Sequence, residues 1–423
     1  MKKIAVVHEW LSGYFGSERV VEQILQIYPQ ADVFCVADFL PPGGRGFLNN
    51  RPVTTSFIQR LPLARRHFRN YLALMPLAVE QFDLSSYDLV ISSSHAVAKG
   101  VLTHPGQLHI SYVYTPIRYA WDLQEQYVGN GQVKGIKGAL ARTLLHYMRM
   151  WDTRTANGVD VFVAISNFIA RRVWKVYRRE ASVIYPPVDV ASFSIGRNRK
   201  PFYLTVGRLV SYKRVDLIIE AFSRMPDRQL VVIGDGPELA RLRSKATPNI
   251  TVLGYQPFEV IRSHMQQARA FIFAAEEDFG IAPLEAQACG TPVIAFDGGG
   301  VTETVVDGDT GMYFSEQTAE SLIQTVNRFE YAKRRMDPDR IRRNAERFSI
   351  ERFRHEFTNL VEREYASFMR QTARPVAKPA HSGMRVPDGI YMPNGIYVPN
   401  GPYVPGVAKG LPNGTYVAND DAA

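Results

Sequence analysis

The sequence predicts an α/β protein built from two doubly wound parallel sheets. Three observations point there. Apolar runs of four to six residues recur without polar alternation, as buried parallel strands require. Most end in a glycine or a short polar turn and are followed by a helical stretch, the signature of βαβ units. The pattern then stops at YPPVDVASFSIGRNRKP (185–201), a proline-marked polar segment, and begins again with a fresh strand.

The first set of strands is IAVV (4–7), DVFCVA (32–37), LVIS (89–92), HISYVY (109–114) and VFVAIS (161–166). The second is FYLTVG (202–207), QLVVIG (229–234), ITVLG (250–254), AFIFAA (270–275) and PVIAF (292–296). Domain one is therefore placed at 1–190 and domain two at 196–348, with a closing helix at 349–371 whose Phe353, Phe357, Leu360 and Tyr365 share a face. After Ala373 the composition changes. GIYMPN, GIYVPN and GPYVPG repeat in succession, a Gly/Pro density that predicts a flexible low-complexity tail over 373–423.

Composition narrows the function. The chain has 423 residues, 46% of them hydrophobic, and no apolar run approaches the ~18 residues of a membrane span. After MKK only four apolar residues precede His8, too few for a secretory signal, so IAVV reads as the first strand. Two cysteines, Cys35 and Cys289, exclude a disulfide framework and fit a reducing cytoplasm. A net charge of +9 favours anionic partners. The basic residues are scattered and match no nucleic-acid-binding module, so no nucleic-acid partner is expected.

The chemistry concentrates where strands end. VGRLVSYKRVD (206–216) presents Arg208 and Lys213 before a helix, an anion site at the C-terminal edge of a sheet. VVIGDGPELARL (231–242) ends a strand in Gly234 and Gly236 but lacks a full G-x-G-x-x-G, which argues against a dinucleotide-dependent oxidoreductase. EDFGIAPLE (277–285) sets Glu277 and Glu285 on either side of Phe279, Gly280 and Ile281, a turn whose amides can face an anion. Two carboxylates so placed suit the hydroxyls of one polyol ligand. By itself, a carboxylate in a first helical turn can instead be simple dipole complementarity. DGGGVTETV (297–305) adds three glycines where backbone can approach a phosphate.

Together these residues resemble the E-x7-E signature of retaining glycosyltransferases of family 4, whose GT-B fold sets two Rossmann-like domains face to face across a cleft. The resemblance runs through residues 1–371. GYFGSERVV (13–21) is similar to that family's glycine-rich loop, with Tyr14, Phe15 and Ser17 interrupting the glycines; SSSHAVAKG (92–100) and YTPIRYAWD (114–122) resemble a subgroup containing O-antigen and exopolysaccharide mannosyltransferases. The resemblance implies a nucleotide-sugar donor, above all GDP-mannose, with UDP-hexoses the alternative. It implies a glycan or polyprenyl-diphosphate-linked acceptor and work at the inner face of the cell membrane. Arg208 and Lys213 would neutralise the leaving diphosphate, Glu285 would hold the ribose and Glu277 the donor sugar with the amides of Phe279–Ile281. His95 would lie near the sugar's 6-hydroxyl and reacting centre, Gly16 would let backbone approach the diphosphate or acceptor, and Tyr255 would stack on the base. No cofactor or metal is expected, since no D-x-D follows a strand and Asp337-Pro-Asp339 lies in a basic region near the C-terminal end. A GT-B-like epimerase or phosphorylase, or a non-catalytic sugar-nucleotide-binding protein, are the readings of another class.

On the acceptor side, Leu61, Ala64, Phe68, Leu72 and Met75 follow helical spacing between Pro62 and Pro76, with Arg60, Arg66 and Arg69 mainly off the stripe. Lys134, Lys137, Arg142 and Arg149 form a second basic stretch, and residues 1–190 hold 21 Lys/Arg against 14 Asp/Glu. A basic amphipathic helix predicts peripheral contact with an anionic membrane; an ordinary helix with its apolar face in the core is the alternative.

Overall fold

The computed structural model describes residues 2–121, 135–332 and 336–373, together with the backbone of 389–391 and 397–399. Among the described residues of 1–369, thirteen strands form two sheets. The first sheet comprises β1 (Ile4–His8), β2 (Asp32–Cys35), β3 (Val53–Thr55), β4 (Leu89–Ser94), β5 (Leu108–Val113), β6 (Val161–Ala164) and β7 (Ala181–Val183). It runs in the order β3-β2-β1-β4-β5-β6-β7, every pair parallel. The second comprises β8 (Phe202–Val206), β9 (Gln229–Ile233), β10 (Ile250–Gly254), β11 (Ala270–Phe273), β12 (Val293–Phe296) and β13 (Gly311–Phe314), ordered β10-β9-β8-β11-β12-β13, again all parallel. Each is the Rossmann order, so each has a switch point where the winding reverses, between β1 and β4 and between β8 and β11. Ligands of open α/β sheets bind in the crevice at such points.

All ten strands read from sequence are present. The sequence reading misses β3, β7 and β13, each at a sheet edge and only three or four residues long. These short edge strands are part-exposed and offer little apolar run to betray them, whereas β1, β4 and β5 are buried along their whole length.

The closing helix spans Ile350–Thr372 and buries Phe353, Phe357 and Leu360. It follows the second sheet in sequence but packs on the first: the rings of Tyr112 in β5 and Phe353 lie 5.8 Å apart, and Arg354 donates to Gln23 in the helix Gly16–Ile27. This helix ties the two halves together.

The stripe from Leu61 to Met75 is not one helix. A 3₁₀ turn Phe57–Arg60, an α turn Ala64–His67 and a 3₁₀ stretch Phe68–Leu74 precede the helix Met75–Glu80. Leu63 takes a left-handed φ of 57° and Tyr71 leaves helical geometry, so the chain is broken on both sides of Phe68. The stripe nevertheless turns inward, with Ala64, Phe68 and Met75 buried and Arg60, Arg66 and Arg69 exposed. Lys134 lies outside the described residues. Among those residues no helix is long and apolar enough to cross a membrane.

Residues 370–423 form a unit of their own. Within it Gly389–Tyr391 pairs antiparallel with Tyr397–Pro399, a short ladder where the repeat predicts no regular structure. Ile390, Tyr391, Tyr397 and Val398 are strand formers, and the repeat's period brings them opposite one another. The rest of the predicted flexible tail lies outside the described residues.

Candidate active site

A cleft of about 490 Å³ opens at the C-terminal ends of the strands and is lined from both halves of the molecule. Gly16, Arg19, Tyr114 and Arg118 contribute from one side and Lys213, Glu277, Gly280, Ile281 and Glu285 from the other.

The cleft residues of the second half leave β8 and β11, the strands flanking the second switch point. After β8 the chain passes Gly207 and Arg208 into a 3₁₀ turn carrying Lys213. After β11 it reaches Glu277, and Lys213 Nζ lies 2.8 Å from Glu277 Oε1. Burial disfavours the Lys213 ammonium, but the Glu277 charge outweighs it and holds the Lys213 pKa above its ordinary value. The pair is partly exposed to the cleft, so a ligand phosphate could replace the carboxylate as the lysine's partner. Arg208 does not line the cleft. It is exposed, and its charge acts on Lys213 and on Arg69 of the opposite half.

Gly280, at φ 92°, makes the turn that L side chains resist and starts the helix Ile281–Ala288, whose N-terminus has no side-chain cap. The Phe279 ring points away from the cleft floor into the core, stacked on Tyr185 at 5.7 Å, which leaves its backbone as the part available to a ligand. Glu285 meets Arg19 across the cleft at 2.8 Å. Arg19 escaped the sequence reading because nothing near position 19 announces a partner 266 residues away. Gly16 faces Ile281, and a Cβ there would come within 3.2 Å of its side chain.

Neighbouring glycines serve chain-on-chain packing. A Cβ on Gly234 would collide with the Gly207 carbonyl, and one on Gly236 with that of Leu209. The glycines after β9 therefore let that loop lie against the Arg208 loop, which accounts for half a fingerprint without a dinucleotide. Likewise Gly299 and Gly300 abut the carbonyls of Glu277 and Asp278, and the Gly300 amide donates to Glu277 O at 2.7 Å. These glycines support the Glu277 segment, where the sequence suggested open approach to a phosphate.

Asp278 fastens the two halves beside the cleft. Its carboxylate takes Arg172 at 2.9 Å and Arg118 at 3.3 Å, and Ser166 Oγ donates to its carbonyl at 2.7 Å. Glu303 accepts the amides of Asn167 and Phe168, both at 2.8 Å.

His95 follows β4 at the first switch point, but it lines a separate cavity with Trp10 and Arg69. Its ring meets Trp10 edge-on at 5.0 Å and stands 6.2 Å from Tyr114, which borders the cleft. Burial lowers the His95 pKa. Behind it Glu9, fully buried, accepts from Ser94 Oγ and from the amides of His95, Ala96, Val97 and Ala98 at 2.7–3.1 Å. Burial opposes the charge on Glu9, yet the His95 charge and those amides bring its pKa below the usual value. The carboxylate shapes the 94–98 loop and hence the position of His95. Tyr255 is 77% exposed after edge strand β10 and does not line the cleft.

Among the described residues no three His, Cys, Asp or Glu side chains converge as metal ligands. Asp337 caps the helix Pro338–Glu346, accepting from the Asp339 amide, so that D-x-D has a structural use. Cys35 and Cys289 are both free and buried.

Two family models match the chain. Residues 16–192 match the model "Glycosyltransferase Family 4" and residues 189–348 the model "Glycosyl transferases group 1". The chain is similar to the GDP-mannose-dependent alpha-(1-6)-phosphatidylinositol monomannoside mannosyltransferase of Mycolicibacterium smegmatis, 30% identical over 204 residues that cover 41% of this chain and 53% of that one. It is also similar to a D-inositol 3-phosphate glycosyltransferase of Mycolicibacterium paratuberculosis, 33% identical over 186 residues, 38% of this chain and 42% of the relative. The chain thus spans about half the length of the curated relatives it matches. In fold it resembles sucrose-phosphate synthase from Thermosynechococcus elongatus (TM-score 0.67, 17% identity, 87% of this chain and 100% of the other). It likewise resembles Anabaena HepE in complex with UDP (TM-score 0.61, 16% identity, 85% and 99%). Two facing Rossmann sheets are the GT-B arrangement, and with the two models laid end to end over residues 16–348 the chain belongs to the family 4, group 1 glycosyltransferases.

Proposed function

We propose that this glycosyltransferase moves a hexose, mannose from GDP-mannose first among them, onto a lipid-linked oligosaccharide or polysaccharide acceptor in surface polysaccharide synthesis. The transfer retains anomeric configuration and needs no metal ion. The observation that carries the reading is the Lys213–Glu277 pair at the second switch point, beside Arg208. The naming of similar proteins as GDP-mannose-dependent supports the choice of donor.

In this reading the donor diphosphate displaces Glu277 from Lys213, and Lys213 with Arg208 stabilises charge as the nucleoside diphosphate leaves. Freed Glu277 accepts from hydroxyls of the sugar, and Glu285, steadied by Arg19, accepts from the ribose. The acceptor attacks from the face the diphosphate leaves, which retains configuration without a second carboxylate nucleophile. His95 orients the sugar from the first switch point, and Asp278 holds the halves in register. Tyr255 has no part in the cleft seen here; it reaches the base only if the β10 end folds over.

The first half contacts the cytoplasmic membrane face through exposed Arg60, Arg65 and Arg66 with Leu63 and Leu77, 73% and 50% exposed. Such binding weakens as salt rises in vesicle co-sedimentation, and salt-independent binding would refute it. The donor is tested by thermal shift with GDP-, UDP- and ADP-sugars, then product anomer by NMR, with and without excess EDTA. GDP-mannose should give the largest shift and an α product in EDTA. A UDP-hexose preference, an inverted product or strict magnesium dependence each overturns the corresponding part.

A further inference from the structure

A second cavity, of about 460 Å³, lies in the first half next to the first switch point. Its size is that of a small-molecule site. Trp10, Leu72, Met75, Leu144 and Leu145 supply most of its wall, from the end of β1, the broken 57–80 segment and the helix Gly135–Thr155. The polar side chains on it include Arg69 and His95. Nothing in the donor chemistry requires so apolar a space.

Arg69 is placed at its edge by the aromatic rings beneath it. The guanidinium carbon sits 5.0 Å from the Phe68 ring centre and 5.9 Å from that of Trp10. The side chain is exposed to solvent and forms no ion pair with a carboxylate among the described residues. Arg208, across the cleft, is likewise exposed, and the two charges disfavour each other. Two exposed arginines whose charges act on each other favour an anion near Arg69, and the apolar pocket that Arg69 borders lies beside it. The His95 ring stands between that pocket and Tyr114 of the main cleft, so the two spaces adjoin.

We propose that this cavity takes the hydrocarbon chain of a lipid-phosphate acceptor, with the phosphate held over Arg69 and the glycan end directed past His95 into the cleft. The proposal rests on the lipid-linked acceptor reading and adds the residues that read the lipid. Chain and phosphate are recognised together: apolar burial supplies affinity and Arg69 supplies register. The bilayer itself is the competing occupant, since Leu74, Leu77 and Leu140 are exposed on the same segments.

The test uses the full chain and soluble n-alkyl phosphates of six to twelve carbons, kept below their micelle concentrations, with binding followed by calorimetry. Affinity should rise roughly three- to fourfold per methylene until the pocket is full. Dodecanol should bind on the order of tenfold more weakly than dodecyl phosphate, and Arg69→Gln should remove that difference. Leu144→Trp fills the space from a half-exposed position and should abolish the chain-length dependence with little change in melting temperature. Leu72→Phe provides an independent, milder filling should the tryptophan perturb folding. Chain-length-independent binding, equal binding by a folded filled variant, or binding only to anionic vesicles would each overturn the proposal. GDP binding is measured on the same samples. If GDP binds and alkyl phosphates do not, the pocket assignment alone fails; if GDP also fails to bind, the donor reading fails with it.

Discussion

The two sheets share one strand order but keep their charges in different places. At the second switch point charged groups line an open cleft, with Lys213 and Glu277 side chains 21% and 18% exposed. Around the first sheet they are sealed in. Glu9 is fully buried, and the Lys99–Asp152 pair, 2.7 Å apart, is 2% and 0% exposed. Asp152 also accepts from Trp121 Nε1 and Tyr177 OH. An exposed pair can exchange its partner for a ligand. A buried one cannot, because removing either member strands the other in a medium that does not solvate it. The second half therefore sets exchangeable charge at the cleft, while the buried charges of the first half fix loop shape.

The sharpest way to break that comparison is at Glu9 against Glu277. Glu9→Ala leaves four amides and the Ser94 hydroxyl without their acceptor and should cost about 3–5 kcal/mol of stability in urea unfolding. Glu277→Gln breaks a part-exposed pair and should cost no more than ~1 kcal/mol. Equal losses would show that the two halves do not differ as described.

Lys213→Ala should show the converse. Transfer should fall on the order of 10²–10³-fold in kcat/KM, the usual cost of one contact to developing charge. The melting temperature should move by only a few degrees, since the side chain is not sealed in the core. Near-normal turnover in the folded variant would remove Lys213 from the leaving-group site.

The same asymmetry explains what could be read from sequence. The candidate site of the second half is written in short continuous stretches: VGRLVSYK sets Arg208 and Lys213 five residues apart, and EDFGIAPLE carries both carboxylates. Local spacing, a glycine turn and a strand end single these residues out, and the fold brings Lys213, Glu277 and Glu285 to one cleft while Arg208 stays off its lining. The first half assembles its site from residues far apart in the chain. Glu9 meets a loop 85–89 residues later, Arg19 meets Glu285, and Arg69 nears Arg208. No periodicity or motif encodes those meetings. His95 was singled out by the family resemblance, its place after a strand being uninformative alone, and its cavity depends on the helix Gly135–Thr155 folding back over it. Nine of the ten strands read lie inside their sheets, where burial on both faces leaves an unbroken apolar run, and the edge strand β10 was legible from ITVLG as well. The other edge strands, β3, β7 and β13, were missed because three or four part-exposed residues carry no such signature. The broken 57–80 segment misled for a related reason: apolar spacing records which side chains turn inward, not whether the backbone between them stays helical.

A graded effect, reached only by acidification, is a pH response of the first sheet. His109 in β5 is buried between Ser92 Oγ, 2.9 Å from Nε2, and the Gly158 carbonyl, 3.0 Å from Nδ1. A neutral ring satisfies both, Nδ1–H donating to the carbonyl and Nε2 accepting from the hydroxyl. Burial is the main reason its pKa falls to about 4 from an ordinary 6.5; the Gly158 bond works against the shift and the Lys99 charge adds to it. Between those values the unfolded chain binds a proton that the folded one refuses, so stability rises with pH across the window and is lost as pH falls from about 6.5 towards 4. The loss reaches about 3 kcal/mol once both values are passed. Glu9, whose pKa is lowered, adds a loss of the same sign, beginning nearer the ordinary carboxylate value. Hydrogen exchange, corrected for intrinsic rates, should therefore show β5 losing protection on acidification to pH 5 while β11 holds. His109→Gln keeps a donor and an acceptor without the titration and should flatten the response of β5 above pH 5. If β11 loses protection in step with β5, or His109→Gln leaves the slope unchanged, the buried charges of the first half do not set its stability.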